Sequence, residues 1–431
     1  MTDARVVLWG RDIGAVAWLD DREIGVFQYA PEFLHSGIEI APLTMPLREE
    51  PYEFPALPRD TFRGLPGLLA DSLPDKFGNA LIDSWLASQG RSPESFNPVE
   101  RLCYIGTRGM GALEFQPTLL GSATRSRKLE VASLVELANR VLDERIALSG
   151  KFTEVDDKQM MEDIIRVGTS AGGARAKAIL AWNPKTGEFR SGQVPHGEGF
   201  GYWLMKFDGV ACNQDREVAD PMGFGLIEYA YCLMAAEAGI TMTECRLHHE
   251  NGRAHFMTKR FDRTDSGDKL HMQSLGAMRH FDYNRPDAYS YEQALQTLRQ
   301  LGAPTADVEE QFRRAVFNVI ARNHDDHVKN IACLMDKAGQ WRLSPAFDVA
   351  YAYNPSGFWT SRHQMSINGK RDGFESEDFI GLARAGGIKA GRAKLIVDQV
   401  GMSVARWPEF AEVAGVSAAT SLKIAKAHRS V

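Results

Sequence analysis

What the 431-residue chain lacks narrows it first. No run of about 18 apolar residues, the length a membrane-spanning helix needs, appears anywhere, and the N-terminus "MTDARVVLWGRDIGAVAW" carries charge where a signal peptide would need an apolar core. A cytoplasmic protein without membrane association is expected. The five cysteines (Cys103, Cys212, Cys232, Cys245, Cys333) are odd in number and scattered, with no C-x-x-C pair and no zinc-holding spacing. They are expected to be reduced and mostly buried. Excess positive charge is missing too: the formal net charge of −6 argues against a general nucleic-acid binder and leaves room only for local basic patches. No repeat or low-complexity tract interrupts a composition of 44% hydrophobic and 25% charged residues, so fibrous and disordered classes are excluded. The length suggests two domains, with a third small subdomain possible in the same chain.

The opening sixty residues read as strands: "RVVLWG", "GAVAWLDD" and "EIGVFQYA" are short, rich in Val, Trp, Phe and Tyr, and separated by Asp/Gly turn signals. "RGLPGLLADSLPDKFGNALIDSWLASQG" then switches to helical intervals interrupted at Pro74, which predicts two helices or a broken one. In "LCYIGTRGMGALEFQP" the glycines Gly106, Gly109 and Gly111 imitate a phosphate loop, but no helix signature follows, and a turn between two strands is expected. "LEVASLVELANRVLDERIA" is an amphipathic helix. From Tyr289 to Ile320 the pattern is helical, and so is the tail, broken by glycines and Pro408. The front is therefore strand-rich and the back helix-rich.

The chemistry concentrates in "NHDDHVKNIACLMDKAGQWRLSPAFDVA". Asn330 follows Asp325 by five positions, and "NIACLM" with "WRLSPAFDV" around the "DKAGQ" turn reads as a β-hairpin returning Asp348 toward Asn330. Protein kinases use this order: a catalytic-loop Asp accepts the hydroxyl proton, an Asn five residues later holds one Mg²⁺, and an Asp after a hairpin holds the magnesium ions bridging the phosphates. Hard oxygen donors are what Mg²⁺ takes. The competing reading is a polar helix cap, since Asn and Asp after an apolar run often end a helix; the hairpin and Asp348 weigh against it. The five-residue interval selects Asp325 as base, leaving Asp326 and His327 to support the loop. A zinc pair of His324 and His327 has no third ligand.

Upstream, "GTSAGGARAKAILAW" places Gly168, Gly172 and Gly173 before an apolar run, where backbone N–H groups can approach phosphate oxygens. It is neither a Walker A motif nor G-x-G-x-x-G, and a simple turn is the plainer reading. "GYWLMKFDG" sets Lys206 inside an apolar strand, the position of a phosphate-binding lysine. "FGLIEYAYCLMAAEAGI" is a helix with Glu228 near its start, either a partner for Lys206 or a solvated carboxylate. "AHFMTKRFDRTD" gives a strand and then charge, suited to a connection between lobes along which adenine could bond to backbone.

These residues resemble the HipA-like serine/threonine kinases, toxins of bacterial toxin–antitoxin pairs. The likeness runs from "LTMPLR" and "LLADSLPDKFGN" through "YIGTRGMGALEF", "SAGGARAKA", "KRFDR" and "DDHVKNIACL" to "LSPAFDVAYA". The family pattern D-x-H-x-K-N falls on Asp325, His327, Lys329 and Asn330. The resemblance implies an α+β, two-lobed, protein-kinase-like fold: a strand-rich N-terminal lobe with an extra N-terminal subdomain, and an all-helical C-terminal lobe. The corresponding boundaries are 1–120, 121–262 and 263–431. It further implies ATP and Mg²⁺ as cofactors, with Asp325, Asn330, Asp348 and Lys206 catalytic and with Asn330 and Asp348 on the metal. Nucleotide contacts would come from Gly172, Gly173, Ala174, Lys177, Lys206, Glu228, Lys259, Arg260, Phe261, His327, Lys329, Asn330 and Asp348.

The same resemblance implies phosphate transfer to a serine or threonine of a protein, an aminoacyl-tRNA synthetase in the best-known members. It also implies autophosphorylation at Ser170, with Thr169 the neighbouring acceptor; about −1.5 to −2 charges there would expel the loop from an anionic nucleotide. A small HipB-like helix-turn-helix antitoxin would bind the kinase and give it access to operator DNA, with Lys370 and Arg371 of "SINGKRDGF" either near that DNA or in an exposed hairpin turn. "HMQSLGAM" lacks acidic residues found in some members and "DDH" carries an extra Asp, which marks a different branch. A small-molecule kinase on a related scaffold and a non-catalytic transcriptional co-regulator bound to an antitoxin are the alternatives.

Overall fold

The computed structural model describes residues 2–119, 128–143, 167–168, 175–193, 198–210, 222–264 and 266–430. The chain divides into two compact units: residues 1–40, 45–222 and 248–272, and residues 41–44, 223–247 and 273–431.

In the first unit, β1 (Thr2–Leu8), β2 (Arg11–Leu19) and β3 (Ile24–Tyr29) form the expected antiparallel meander. β4 (Leu113–Gln116) pairs with β1 to give the order β3-β2-β1-β4. The interruption at Pro74 is real: a short helix, Gly67–Ala70, precedes α1 (Lys76–Ser88), whose first turn is capped by the Asp75 carboxylate accepting from Gly78 N at 2.6 Å. α2 (Pro98–Ile105) opens on a reciprocal Asn97–Glu100 capping box with proline in its first turn, and packs on β1, β2 and β4. The cluster Gly106–Gly111 is thus a turn between a helix and a strand, not between two strands; the β-like composition of "LCYI" is overridden by the cap and by burial of its apolar face.

A second sheet, ordered β5-β7-β6-β8-β10-β9, is built from β5 (Lys128–Leu129), β6 (Lys177–Trp182), β7 (Phe189–Ser191), β8 (Gly201–Lys206), β9 (Cys245–Glu250, its last three residues in this unit) and β10 (Arg253–Lys259). α1 and α3 (Val131–Asp143) supply Phe77, Leu81, Val135 and Ala138 to a core shared with Ala178, Leu180 and Met205 of the sheet. Full burial of each large apolar side chain contributes roughly 1.5–3 kcal/mol.

Two buried ionic groups pin this unit together. Lys177, on β6, reaches Asp75 with Nζ–Oδ2 at 2.9 Å, so one carboxylate both caps α1 and neutralises a lysine inside the sheet. The second group is Asp262, which takes Arg260 Nε at 2.8 Å, Arg263 Nη1 at 2.8 Å and the backbone N–H of Gly111 at 2.7 Å. Burial alone would raise the Asp262 carboxyl, but the two guanidinium groups and the backbone donor outweigh it and hold it below the usual carboxylate range. Gly111 adopts φ 74°, and a Cβ there would lie 2.9 Å from Met272 N, so this turn requires glycine.

The second unit is mostly helical: α4 (Phe224–Glu237), α5 (Tyr291–Gln300), α6 (Thr305–Ile320), α7 (Ser376–Gly386), α8 (Ala390–Ala405), α9 (Trp407–Ala414) and α10 (Ala418–Ala427). α6 runs through its centre against α5, α7 and α8, with Phe312 and Phe317 fully buried. Gly387 and Gly415 end α7 and α9 in the left-handed conformation, and Pro408 starts α9 instead of breaking a helix. It also contains short strands: the parallel pair β11 (Tyr289–Ser290) and β14 (Met365–Ser366), and the expected hairpin of β12 (Ala332–Met335) and β13 (Trp341–Leu343), registered Cys333↔Leu343 and Met335↔Trp341, with the strand His271–Ser274, its last two residues in this unit, on the other edge of β12.

Two expectations change here. Residues 223–247, assigned from the sequence to the strand-rich lobe ending at 262, belong to the helical unit: α4 packs against α9, and Tyr231 Oη donates to Ala321 O at 2.6 Å. The cysteines are not all reduced, because Cys232 on α4 and Cys245 at the start of β9 form a disulfide, with Cα atoms 6.9 Å apart. The turn after α4 brings together residues whose spacing in sequence gave no hint of pairing. Cys103 and Cys333 are free and buried, their thiols pushed up to about 11 and about 12 chiefly by burial; Cys212 lies outside the described residues.

Removing one member of the Lys177–Asp75 pair leaves a buried charge uncompensated. Asp75→Ala should lower unfolding free energy in urea by about 3–5 kcal/mol, whereas Asp75→Leu with Lys177→Met should lose only about 1 kcal/mol, the worth of the missing cap; equal losses in both variants would contradict this account. Denatured without reductant, the chain should alkylate at Cys103 and Cys333 but not at Cys232 or Cys245 when digested and mapped by mass spectrometry.

Candidate active site

The site begins where α6 ends. Arg322 takes the left-handed conformation (φ 58°), its N–H donating to Val319 O at 3.5 Å while Asn323 N donates to Asn318 O at 2.9 Å, the paired bonds of a Schellman closure. A non-glycine residue here costs about 1–2 kcal/mol. Two contacts hold it: Arg322 Nε donates to Ala427 O at 2.7 Å, and its guanidinium lies 4.4 Å above the Tyr353 ring. The polar run is therefore a helix terminus in its first residues and something more beyond them.

From Asn323 the chain forms a loop into the 3-10 turn Val328–Asn330. Asn330 Nδ2 donates to the backbone oxygen of Asp325 at 2.8 Å, which engages its amide nitrogen and turns its amide oxygen into the atom suited to a cation. The Asp325 side chain is 44% exposed, with His327 Nε2 3.6 Å from Oδ1. His327 Nδ1 accepts from Lys329 N at 3.2 Å, and Lys329 Nζ lies 5.1 Å over the Tyr283 ring. The β12–β13 hairpin then returns the chain to Asp348, which also adopts a left-handed φ of 56°, strain of the kind that collects at functional sites. Asp325, Asn330 and Asp348 line one solvent-open cavity together with Asp326, His327 and Arg314. The expected convergence of three separated oxygen-bearing side chains is observed.

The two adjacent aspartates are unlike. Asp326 is buried, and its carboxylate accepts from Gln364 N on Oδ1 at 2.7 Å and from Tyr291 Oη and His363 Nδ1 on Oδ2, both at 2.8 Å. Tyr291 in turn accepts from Asn318 Nδ2 at 2.9 Å, and burial followed by the Asp326 charge pushes its phenol well above the ordinary range. The His324 ring stacks 4.0 Å from that of His363; its imidazole is pushed down to about 2, mainly by burial and then by His363. Asp326 is thus a buried buttress, and Asp325 is the exposed member of the pair. Tyr291, His363 and Gln364 were not found by sequence reasoning. The only trace they leave is polarity at positions flanking helix and strand starts, and nothing in the sequence joins them to residue 326.

The other expected residues divide as follows. Lys206 stands on β8 opposite both Lys177 and Phe256, half-buried, with Nζ 5.9 Å over the Phe256 ring. Lys177 is the fully buried lysine of the sheet and is held by Asp75. Glu228 is 2% exposed, which excludes the solvated reading, and it falls in the helical unit while Lys206 falls in the other. Lys259 ends β10, Phe261 follows in a turn, and Arg260 commits its guanidinium to Asp262. Lys370 pairs with Asp378 at 2.9 Å and Glu375 at 3.4 Å, and Arg371 Nε donates to His363 O, so both cations are engaged within the helical unit. Thr169, Ser170, Gly172, Gly173 and Ala174 lie outside the described residues.

Comparison with known proteins bears on the family and the fold. Residues 4–116 match the model of the HipA N-terminal domain and residues 169–407 that of the HipA-like C-terminal domain. Two curated proteins of Sinorhizobium fredii (strain NBRC 101917 / NGR234) are similar in part. "Putative kinase Y4dM" is 30% identical over 189 residues, 42% of this chain and 44% of that protein. "Putative kinase Y4mE" is 27% identical over 125 residues, 27% of this chain and 30% of that protein. The chain therefore spans less than half the length of these curated relatives. The HipA toxin–antitoxin system of Shewanella oneidensis MR-1, solved with HipB and operator DNA, superposes with a TM-score of 0.67 at 16% identity, covering 98% of this chain and 94% of that one. The α+β fold is that of HipA, and the chain belongs to the HipA-like family.

Proposed function

We propose that the protein is an ATP- and Mg²⁺-dependent serine/threonine kinase of the HipA type that phosphorylates a protein target and is neutralised by a HipB-like DNA-binding antitoxin. The observation that carries the reading is the cavity lined jointly by Asp325, Asn330 and Asp348, with Asn330 bonded to the Asp325 backbone. The kinase names of the two Sinorhizobium relatives support it.

Asp325 acts as general base, accepting the proton of a substrate hydroxyl presented from solvent. Asn330 and Asp348 would hold Mg²⁺, which neutralises charge on the phosphate oxygens of the nucleotide. Their donors fit: all are hard oxygens, and among the described residues no group of three or more His, Cys, Asp or Glu forms a cage that would bind a metal without the nucleotide. Lys206, half-buried on β8, is the proposed lysine for the phosphates. Ser170, in the glycine-bearing segment, is the proposed site of autophosphorylation, and an aminoacyl-tRNA synthetase the proposed class of target. Operator DNA would be reached mainly through the antitoxin, because Lys370 and Arg371 would have to leave their internal partners to contact phosphate.

Asp325→Ala should lower phosphate transfer by about 10²–10⁴-fold with an unchanged melting curve; wild-type incorporation in that variant would remove the catalytic assignment. ATP with Mg²⁺ should raise the melting temperature of the wild type more than ATP with EDTA does, and Asp348→Asn should lose that difference. Retention of the difference would exclude Asp348 as a metal ligand. Labelled-phosphate transfer into a lysate, with mass-spectrometric mapping, tests the target class and Ser170 together.

A further inference from the structure

Gln364 belongs to no catalytic set considered above, yet its carboxamide contacts the proposed base. Gln364 Nε2 lies 3.2 Å from Asp325 Oδ1, and an ionised carboxylate can only accept, so the amide nitrogen faces it as donor. The side chain is 5% exposed and cannot swing freely. Its backbone is fixed on both sides: Gln364 N donates to Asp326 Oδ1 at 2.7 Å, and Gln364 O accepts from Asp287 N at 3.1 Å. The next residues enter β14, paired in parallel with β11. Asp326, itself locked by Tyr291 and His363, thus places Gln364, and Gln364 reaches back one residue in the loop to Asp325.

From this closed circuit we propose that Gln364 is a positioning residue for phosphoryl transfer: it holds one oxygen of the Asp325 carboxylate and so sets the direction in which the other is presented to the substrate hydroxyl. The inference rests on the kinase reading above. Asp325 is 44% exposed and sits in a loop, where a carboxylate has more than one staggered orientation open to it about its side-chain torsions. Catalysis by a base depends on hydrogen-bond reach to one proton, and a small misplacement is expensive. A donor on one oxygen is the economical way to fix the rotation without touching the reacting face. His327 Nε2 stands 3.6 Å from the same Asp325 oxygen.

The test is a double-mutant cycle on the full-length protein, read as steady-state phosphate transfer. Gln364→Met keeps length and burial and removes the donor, while its backbone N–H to Asp326 remains. Gln364→Glu keeps shape and replaces the donor by an acceptor, and it guards against a packing effect in the Met variant. Gln364→Met should lower kcat by about 10- to 100-fold, the worth of one hydrogen bond to a charged group, with KM for ATP unchanged and melting temperature retained; Gln364→Glu should lower kcat at least as far, and its melting temperature should fall because two carboxylates then face each other. In an Asp325→Ala background, Gln364→Met should have no further effect on the residual rate, because it acts only through that carboxylate. A wild-type kcat in either variant, or an equal loss with and without Asp325, would overturn the positioning role. If instead the wild type and Asp325→Ala transfer phosphate alike, the kinase reading itself fails, and this inference falls with it.

Discussion

The helical unit depends on one buried carboxylate. Asp326 has no exposure to speak of, and a charge taken out of water at that depth is tolerable only if its lone pairs are filled. They are filled from three directions: the start of α5 through Tyr291, and the segment before β14 through His363 and the backbone of Gln364. The requirement to satisfy Asp326 therefore fastens the loop 323–330 to two elements more than thirty residues away on either side. Once the loop is fastened, the Gln364 amide stands 3.2 Å from the Asp325 carboxylate. The same network explains why a loop exposed enough to meet a substrate is nevertheless well defined.

In the sheet-bearing unit a comparable logic operates with different residues. Lys177 and Asp262 would each be intolerable alone, and each is answered by a partner from a distant part of the sequence. Asp75 draws the N-terminus of α1 onto β6, while Asp262 draws the turn at Gly109–Gly111 onto the segment after β10 through Arg260 and Arg263. Trp9 Nε1 to Lys269 O and Lys269 Nζ to Glu114, both at 2.7 Å, add to the same junction. These motifs, "DSLPDKF" and "KRFDR", therefore explain themselves as joints of the scaffold before any contact with a nucleotide is invoked.

The sequence was most legible where periodicity and local caps decide the outcome. The meander β1–β3, α3, α5, α6 and the β12–β13 hairpin follow from apolar spacing and turn residues, and the interval from Asp325 to Asn330 points to the exposed member of the adjacent pair rather than to its buried neighbour. It was least legible where contacts are long-range. The pairing of Cys232 with Cys245, the transfer of 223–247 to the helical unit and the donors to Asp326 depend on chain reversals that leave no local trace. The helix in "LCYI" was hidden for a different reason: the β-like residues are outweighed by an Asn97–Glu100 capping box that lies just upstream. His363 and Gln364 look like ordinary loop polarity until the fold brings them to residue 326.

The central claim is that oxygens of Asn330 and Asp348 hold a divalent ion facing the Asp325 carboxylate. Crystals grown with Mn²⁺ and a non-hydrolysable ATP analogue would show this by anomalous scattering. The account predicts manganese bound by the Asn330 amide oxygen and the Asp348 carboxylate, with the terminal phosphate turned toward Asp325. Manganese and nucleotide bound elsewhere, with the cavity beside Asp325 filled only by water, would contradict it.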